Sequence, residues 1–239
     1  MPAPLEPAAS STPPIAASPR PARADRWRRL WLVGLLVALA CSYPATALLP
    51  LSVAWENGWL ENLQVAVLLG GAAMALTFAR TDGALEPGAR KVTPLAWALL
   101  PVWCLLAARE LSWGAVFLPP VEITQEGPVF SSSQLWYKPA VYPAAAAVLA
   151  WSGWRLLRCR ADRFVSTLWR SGGFIWPELM VFILAGMLST YAEEHLGIAI
   201  AAPLHGRTLI MEEWAEVVAY GALVLGQWQV LRTLRRAVS

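Results

Sequence analysis

Six long apolar runs, separated by short stretches that hold most of the charge, organise this chain: roughly 29–49, 60–79, 93–114, 139–157, 175–193 and 209–231. Each is close to the about 20 apolar residues that an α-helix needs to cross a hydrocarbon core of about 30 Å. The pattern predicts an all-α fold, a polytopic membrane bundle of six transmembrane helices. Residues 1–26, rich in Pro, Ala and Ser, have no periodic apolar pattern and cannot bury enough surface to offset their ordering entropy. The expected organisation is a disordered cytoplasmic tail over 1–26 and a six-helix transmembrane domain over 27–239. "RWRR" before the first run and "ATA" at 45–47 have the outline of a signal peptide. The long tail ahead of them and the length of the run favour a retained span.

Basic residues orient the bundle, because cytoplasmic loops of membrane proteins collect Lys and Arg. Sixteen of the nineteen fall in the N-terminal segment, the second and fourth loops and the C-terminal tail. Arg109, Lys138 and Arg207 fall on the other side. Both termini are therefore expected in the cytoplasm, and an odd number of spans would break the alternation. Aromatic residues agree. Trp55, Trp59, Trp113, Trp136, Tyr137, Tyr191 and Trp214 fall at expected outer ends, and Trp27, Trp31, Trp97, Trp154, Trp169, Trp176 and Trp228 at inner ends. Indole rings settle at headgroup level, so an interfacial belt accounts for them.

Composition sharpens the class. Of 239 residues 57% are hydrophobic and 15% charged, with a mean hydropathy of +0.47. Soluble domains are about a quarter charged. Cys41, Cys104 and Cys159 are far apart and form no CxxC, which excludes a zinc knuckle or redox pair. The preference for Arg over Lys, with abundant Ala and Pro, suggests a bacterial chain of high genomic GC, hence the bacterial inner membrane. Topology accounts for the arginines, leaving no basic groove for nucleic acid.

The acidic residues hold the candidate chemistry. Six fall on the cytoplasmic side, for a formal charge of +10 there. Ten fall outside against three basic residues, for a formal −7. "WENGWLEN" (55–62) opens the second span, "RELSWG" (109–114) closes the third, "YAEEH" (191–195) closes the fifth and "MEEWAE" (211–216) opens the sixth. Four helices thus bring carboxylates to one outer layer. Glu213 and Glu216, three apart, share a helix face, as do Glu212 and Glu216 at four. Counted from Pro94, Arg109 lies about 15 residues or 22 Å along its helix, within the outer third of the core. Ionised groups cost roughly 2.5–3.5 kcal/mol at mid-depth and less near the interface. Such a layer must be neutralised by Arg109, Arg207 and the histidines, hold a cation, or retain protons.

The expected pocket is built around Glu56, Glu61, Arg109 and Glu110 as ligand-binding residues, with Glu194, His195, Glu213 and Glu216 as metal ligands. Its oxygen-rich character fits a divalent metal ion of the Mg²⁺, Ca²⁺ or Mn²⁺ kind, since zinc normally takes more nitrogen or sulfur. The loop 119–138 is long enough to cover it as a lid, although a solvated loop is the preferred reading. The small-residue run at 143–153 allows close helix approach, within the bundle or against a membrane-protein partner.

"EEHLGI" and "EEWAEV" resemble the paired-glutamate motif of intramembrane abortive-infection-type proteases, but the downstream arginine and later histidine motifs are missing. Two histidines are too few for a ceramidase-like hydrolase, and no P-loop, dinucleotide fingerprint or haem motif is present. The outer Glu–Asn turn, "RELSWG" and the paired glutamates resemble uncharacterised multi-pass bacterial inner-membrane proteins over about residues 50–220. That resemblance implies the architecture and transfers no activity. Two readings fit: a pocket acting on a cation or a lipid-linked substrate, as in a metal-dependent hydrolase or transferase, and a non-catalytic accessory or scaffold subunit held by an ion-pair network. Membrane lipids are partners in either case. Polar groups are too scarce in the inner halves for a transport path.

Overall fold

The computed structural model describes residues 22–81, 92–124, 127–193 and 207–236. The described residues are mostly helical. The elements are α1 (Ala22–Ala40), α2 (Ser42–Leu48), α3 (Trp59–Thr81), α4 (Thr93–Glu110), a two-stranded hairpin of β1 (Glu122–Thr124) and β2 (Gly127–Val129), α5 (Lys138–Arg158), α6 (Ala161–Arg170), α7 (Trp176–Ala192) and α8 (Thr208–Arg236). Residues 22–26, expected in the tail, open α1, while 1–21 lie outside the described residues.

Helix falls in all six apolar runs, yet the six-span expectation is not carried by length and composition. Among the described residues, α3 alone is long and apolar enough to cross a membrane by itself; α1 and α2 qualify only as one span bent by 52°. The causes are local. Pro44 has no N–H for the Ala40 carbonyl and its ring crowds that carbonyl, so the run 29–49 breaks at Cys41. Ser42 and Thr46 hydroxyls donate to the Leu39 and Ser42 carbonyls at 2.7 and 2.8 Å, side-chain back-bonding that also favours a bend. α7 is apolar but has 17 residues, α4 ends on Arg109 and Glu110, and α8 carries charge at both ends.

The centre of the fold is α8. It packs against α7 on one side and α3 on another, with α1, α2 and α6 around it. The α7 contact is made largely of small residues: Val181 and Ala185 meet Val218, Ala219 and Ala222, while Ala192 further along α7 meets Met211. Small side chains let two backbones approach, replacing size by contact number. α3 presents Leu68, Ala72 and Ala75 to Trp103 and Ala107 of α4 and to Tyr220 of α8. There the Trp103 indole donates to the Gln227 side chain, whose amide donates to the Gly71 carbonyl at 2.9 Å. A Cβ on Gly71 would stand 2.7 Å from the indole, so this crossing requires glycine.

α5 packs mainly on α4, and most of its alanine run is exposed, so this stretch does not serve close packing inside the bundle. The segment expected as the fourth loop contains α6, amphipathic and tied to α8 through Leu168. Phe174 sits 5.5 Å from Trp169 and 5.0 Å from Trp176, centroid to centroid, closing the turn into α7.

A candidate cation site at the acidic end of the bundle

Two charged layers cap the bundle at opposite ends. At one, Arg28 of α1 meets Glu178 of α7 through two hydrogen bonds, Nε to Oε1 at 2.6 Å and Nη2 to Oε2 at 2.8 Å. Asp25 faces Arg232 of α8 at 3.6 Å. The other layer lies where α3 and α8 begin and α4 and α7 end. On α8 the distance from Glu216 to Arg232 is about 24 Å at 1.5 Å per residue.

The segment "RELSWG" (109–114) lies in this second layer. α4 stops at Glu110 because the chain turns left-handed at Ser112, Trp113 and Gly114, with φ of 45°, 59° and 100°. Its last turn aims Glu110 inward, where the carboxylate is buried and accepts the Tyr220 hydroxyl of α8 at 2.7 Å. Arg109 Nη1 donates to the same carboxylate at 3.2 Å and to the Tyr220 oxygen at 3.3 Å. The Arg109 side chain is 59% exposed, so the arginine covers this network from outside.

Beside it, α7 and α8 converge three carboxylates. One oxygen each from Glu193, Glu212 and Glu216 lies within 4.8 Å of the other two, and Ser189 donates to Glu216 at 3.5 Å. Calcium–oxygen bonds of about 2.3–2.6 Å place oxygens on opposite sides of the ion about 4.6–5.2 Å apart. Separations within that limit are compatible with oxygens bound to one hard divalent cation. Three oxygens leave further positions for water or a substrate oxygen.

The remaining expected residues sort as follows. Glu213 points from α8 toward α3, accepting from the Gln64 amide at 2.6 Å while its own backbone carbonyl accepts at 3.1 Å. Gln64 is fully buried, and its amide oxygen has no donor among the described residues. Glu61 accepts the Asn57 N–H, capping α3, and still lies within electrostatic reach of Glu56, Glu110 and Glu216. Glu56 is exposed and accepts the Phe130 N–H, fastening the hairpin's far side to the start of α3. The loop 119–138 is thus tied down over Trp55, whose ring fills the place a Cβ on Gly127 would take. Arg207, expected to balance the acids, donates instead to the Ala47 and Leu49 carbonyls at the end of α2. Glu194 and His195 lie outside the described residues.

Of the expected metal ligands Glu194, His195, Glu213 and Glu216, the cluster contains Glu216, and its other members are Glu193 and Glu212. Tyr220 and Gln64 are partners outside the expected set; each follows an acidic residue on its own helix at four or three positions, Glu216 and Glu61. What results is a helical chain with a carboxylate cluster at one end. No protein-family model, no curated protein and no solved structure matches it.

Proposed function

We propose that this chain is a six-helix bacterial inner-membrane protein, both termini cytoplasmic, that binds a divalent cation at its outer face. The observation that carries the cation reading is the convergence of Glu193, Glu212 and Glu216 within 4.8 Å. The spanning reading is supported by the two charged layers at opposite ends of α8 and by the apolar surface between them. Leu36, Leu69, Leu149, Ile183 and Met187, from four helices, are all exposed. Such surface is unfavourable against water and neutral against lipid tails. A cation held by three glutamates at headgroup depth keeps open positions toward the lipid, and the substrate class it fits is a lipid-linked anion, as for a metal-dependent hydrolase or transferase. There the ion would polarise a phosphoryl or carbonyl oxygen.

The second reading, a non-catalytic scaffold subunit, is favoured by the Arg109–Glu110–Tyr220 network, which satisfies its own charges without an ion. Elemental analysis of the detergent-purified protein, equilibrated with Ca²⁺ or Mn²⁺ and then desalted, separates the two. One ion per chain in wild type and Glu56→Gln, lost in Glu216→Gln and Glu212→Gln, is expected. Absence of bound ion from wild type would refute the cation reading and leave the scaffold. Reporter fusions at both termini test the topology independently.

A further inference from the structure

The segment between α5 and α7 is more than a connection. α6 has ten residues, about 15 Å of helix, and a left-handed residue turns the chain before and after it, Arg160 at a φ of 54° and Gly172 at 64°. It is too short to span a bilayer, yet it is fixed in place. Leu168 is buried in one cluster with Leu231 and Leu234 of α8, and a Cβ on Gly173 would stand 2.7 Å from the Thr233 methyl. α6 therefore lies at the end of the bundle that holds the Arg28–Glu178 pair.

At about 100° per residue, Phe164, Leu168, Ala161, Val165 and Trp169 form one apolar arc of about 140°, and Arg163 and Arg170 stand on the opposite side. The bundle covers one edge of this arc. Phe164 and Leu168 pack inward, while Val165 and Trp169 are 51% and 61% exposed. Trp169 meets Trp176 edge-on at 6.0 Å, and Trp176 begins an exposed stripe along α7 that continues through Met180, Ile183 and Met187. That stripe belongs to the surface that the membrane reading gives to lipid tails. The free edge of α6 continues it around the end of the bundle.

Charge says which lipid covers this edge. Between residues 139 and 175 the chain has five arginines and one acid, Asp162. Asp162 pairs with Arg160 at 3.7 Å, so Arg163 and Arg170, both exposed, have no acidic partner among the described residues. Arg158 stacks 4.4 Å from the ring of Trp154, itself exposed. A helix sunk about 5–10 Å into the headgroup boundary by its apolar face keeps its polar face among the headgroups, where arginine pairs with phosphate. We propose that α6 lies in the plane of the cytoplasmic membrane face, with Val165 and Trp169 at the acyl boundary and Arg163 and Arg170 among anionic phospholipid headgroups. The proposal rests on the membrane reading above and is independent of the cation site.

The test is fluorescence quenching on the full chain, with Cys41, Cys104 and Cys159 replaced by alanine and a fluorophore on Val165→Cys. The chain is reconstituted in vesicles of equal phosphatidylglycerol and phosphatidylcholine, one of the two lipids brominated in its acyl chains at a time. Both lipids are expected to quench, with a preference for phosphatidylglycerol of about fivefold per arginine. Arg163→Gln and Arg170→Gln should each lower that preference by the same factor, and a label on Ser166→Cys, on the polar face, should answer to aqueous iodide instead. Iodide quenching at 165 equal to that at 166 would place the edge in water and overturn the proposal. Equal quenching by the two lipids, or a preference unchanged in the double arginine variant, would overturn it as well. Self-quenching between labels at 165 would mean that a second copy covers the edge, with the same consequence. A label on Leu69→Cys of α3 separates this failure from that of the membrane reading: lipid quenching at 69 without any at 165 sinks the proposal alone, and its absence at both sinks the membrane reading too.

Discussion

Removing Arg28 should harm this protein more than removing any other single arginine. Its guanidinium grips both Glu178 oxygens at 2.6 and 2.8 Å, with a longer 3.4 Å bond to the Phe174 carbonyl. The Glu178 side chain is 1% exposed and that of Arg28 18%. In Arg28→Met the carboxylate stays buried without its partner, at a cost of about 3–5 kcal/mol for a broken buried pair. At about 2–4 °C per kcal/mol for a chain of this size, the midpoint should fall by roughly 6–20 °C. Glu178→Met should cost less, because an arginine stem can bend its head group to water. The double variant Arg28→Met/Glu178→Met, which removes both charges, should lie within about 1 kcal/mol of wild type. Thermal unfolding of the four proteins in one detergent checks this cycle. A midpoint shift below about 3 °C for Arg28→Met, or a double variant no more stable than the worse single one, would refute the claim that α1 and α7 are joined by a desolvated ion pair.

At the acidic end, Tyr220→Phe should cost about 1–3 kcal/mol, since it strips a buried carboxylate of its 2.7 Å donor. Arg109→Gln, with its side chain 59% exposed, should cost less than about 1 kcal/mol; thermal midpoints in the reverse order would contradict the placement of Arg109 outside the network. Two adjacent glycines should behave oppositely. Gly71→Ala drives a methyl to 2.7 Å from the Trp103 ring and should cost about 1–3 kcal/mol, whereas Gly70→Ala enters open space and should be neutral or stabilising. Equal midpoints for the two alanine variants would show that the Trp103 crossing is loosely packed.

Much of the helical framework was legible in order along the chain. Helix falls in each apolar run, and Pro94, favoured in a first turn, marks the start of α4 as expected. Pro44 was equally legible, and its power to break the run at 29–49 is a local effect that a count of apolar residues passes over. The hairpin within 119–138 gave weak signal, because three-residue strands carry almost no period; Gly127, at a φ of 116°, is its one clear mark.

The acidic layer is legible in the sequence because Glu61, Glu110, Glu193, Glu212, Glu213 and Glu216 all stand near helix ends, at one end of the bundle. Which of them meet does not follow. Glu212 and Glu213 are neighbours in sequence, but one helix step turns a side chain by about 100°. Residues of that pair therefore face different partners, α7 for Glu212 and Gln64 of α3 for Glu213. Spacing along one helix permits both Glu212–Glu216 and Glu213–Glu216 pairs. The rotation of α8 about its axis chooses between them, and the small residues shared with α7 set that rotation. Position along the bundle axis is a property of one chain segment at a time and can be read in order. Facing is a relation between helices distant in sequence, and only their packing around α8 decides it.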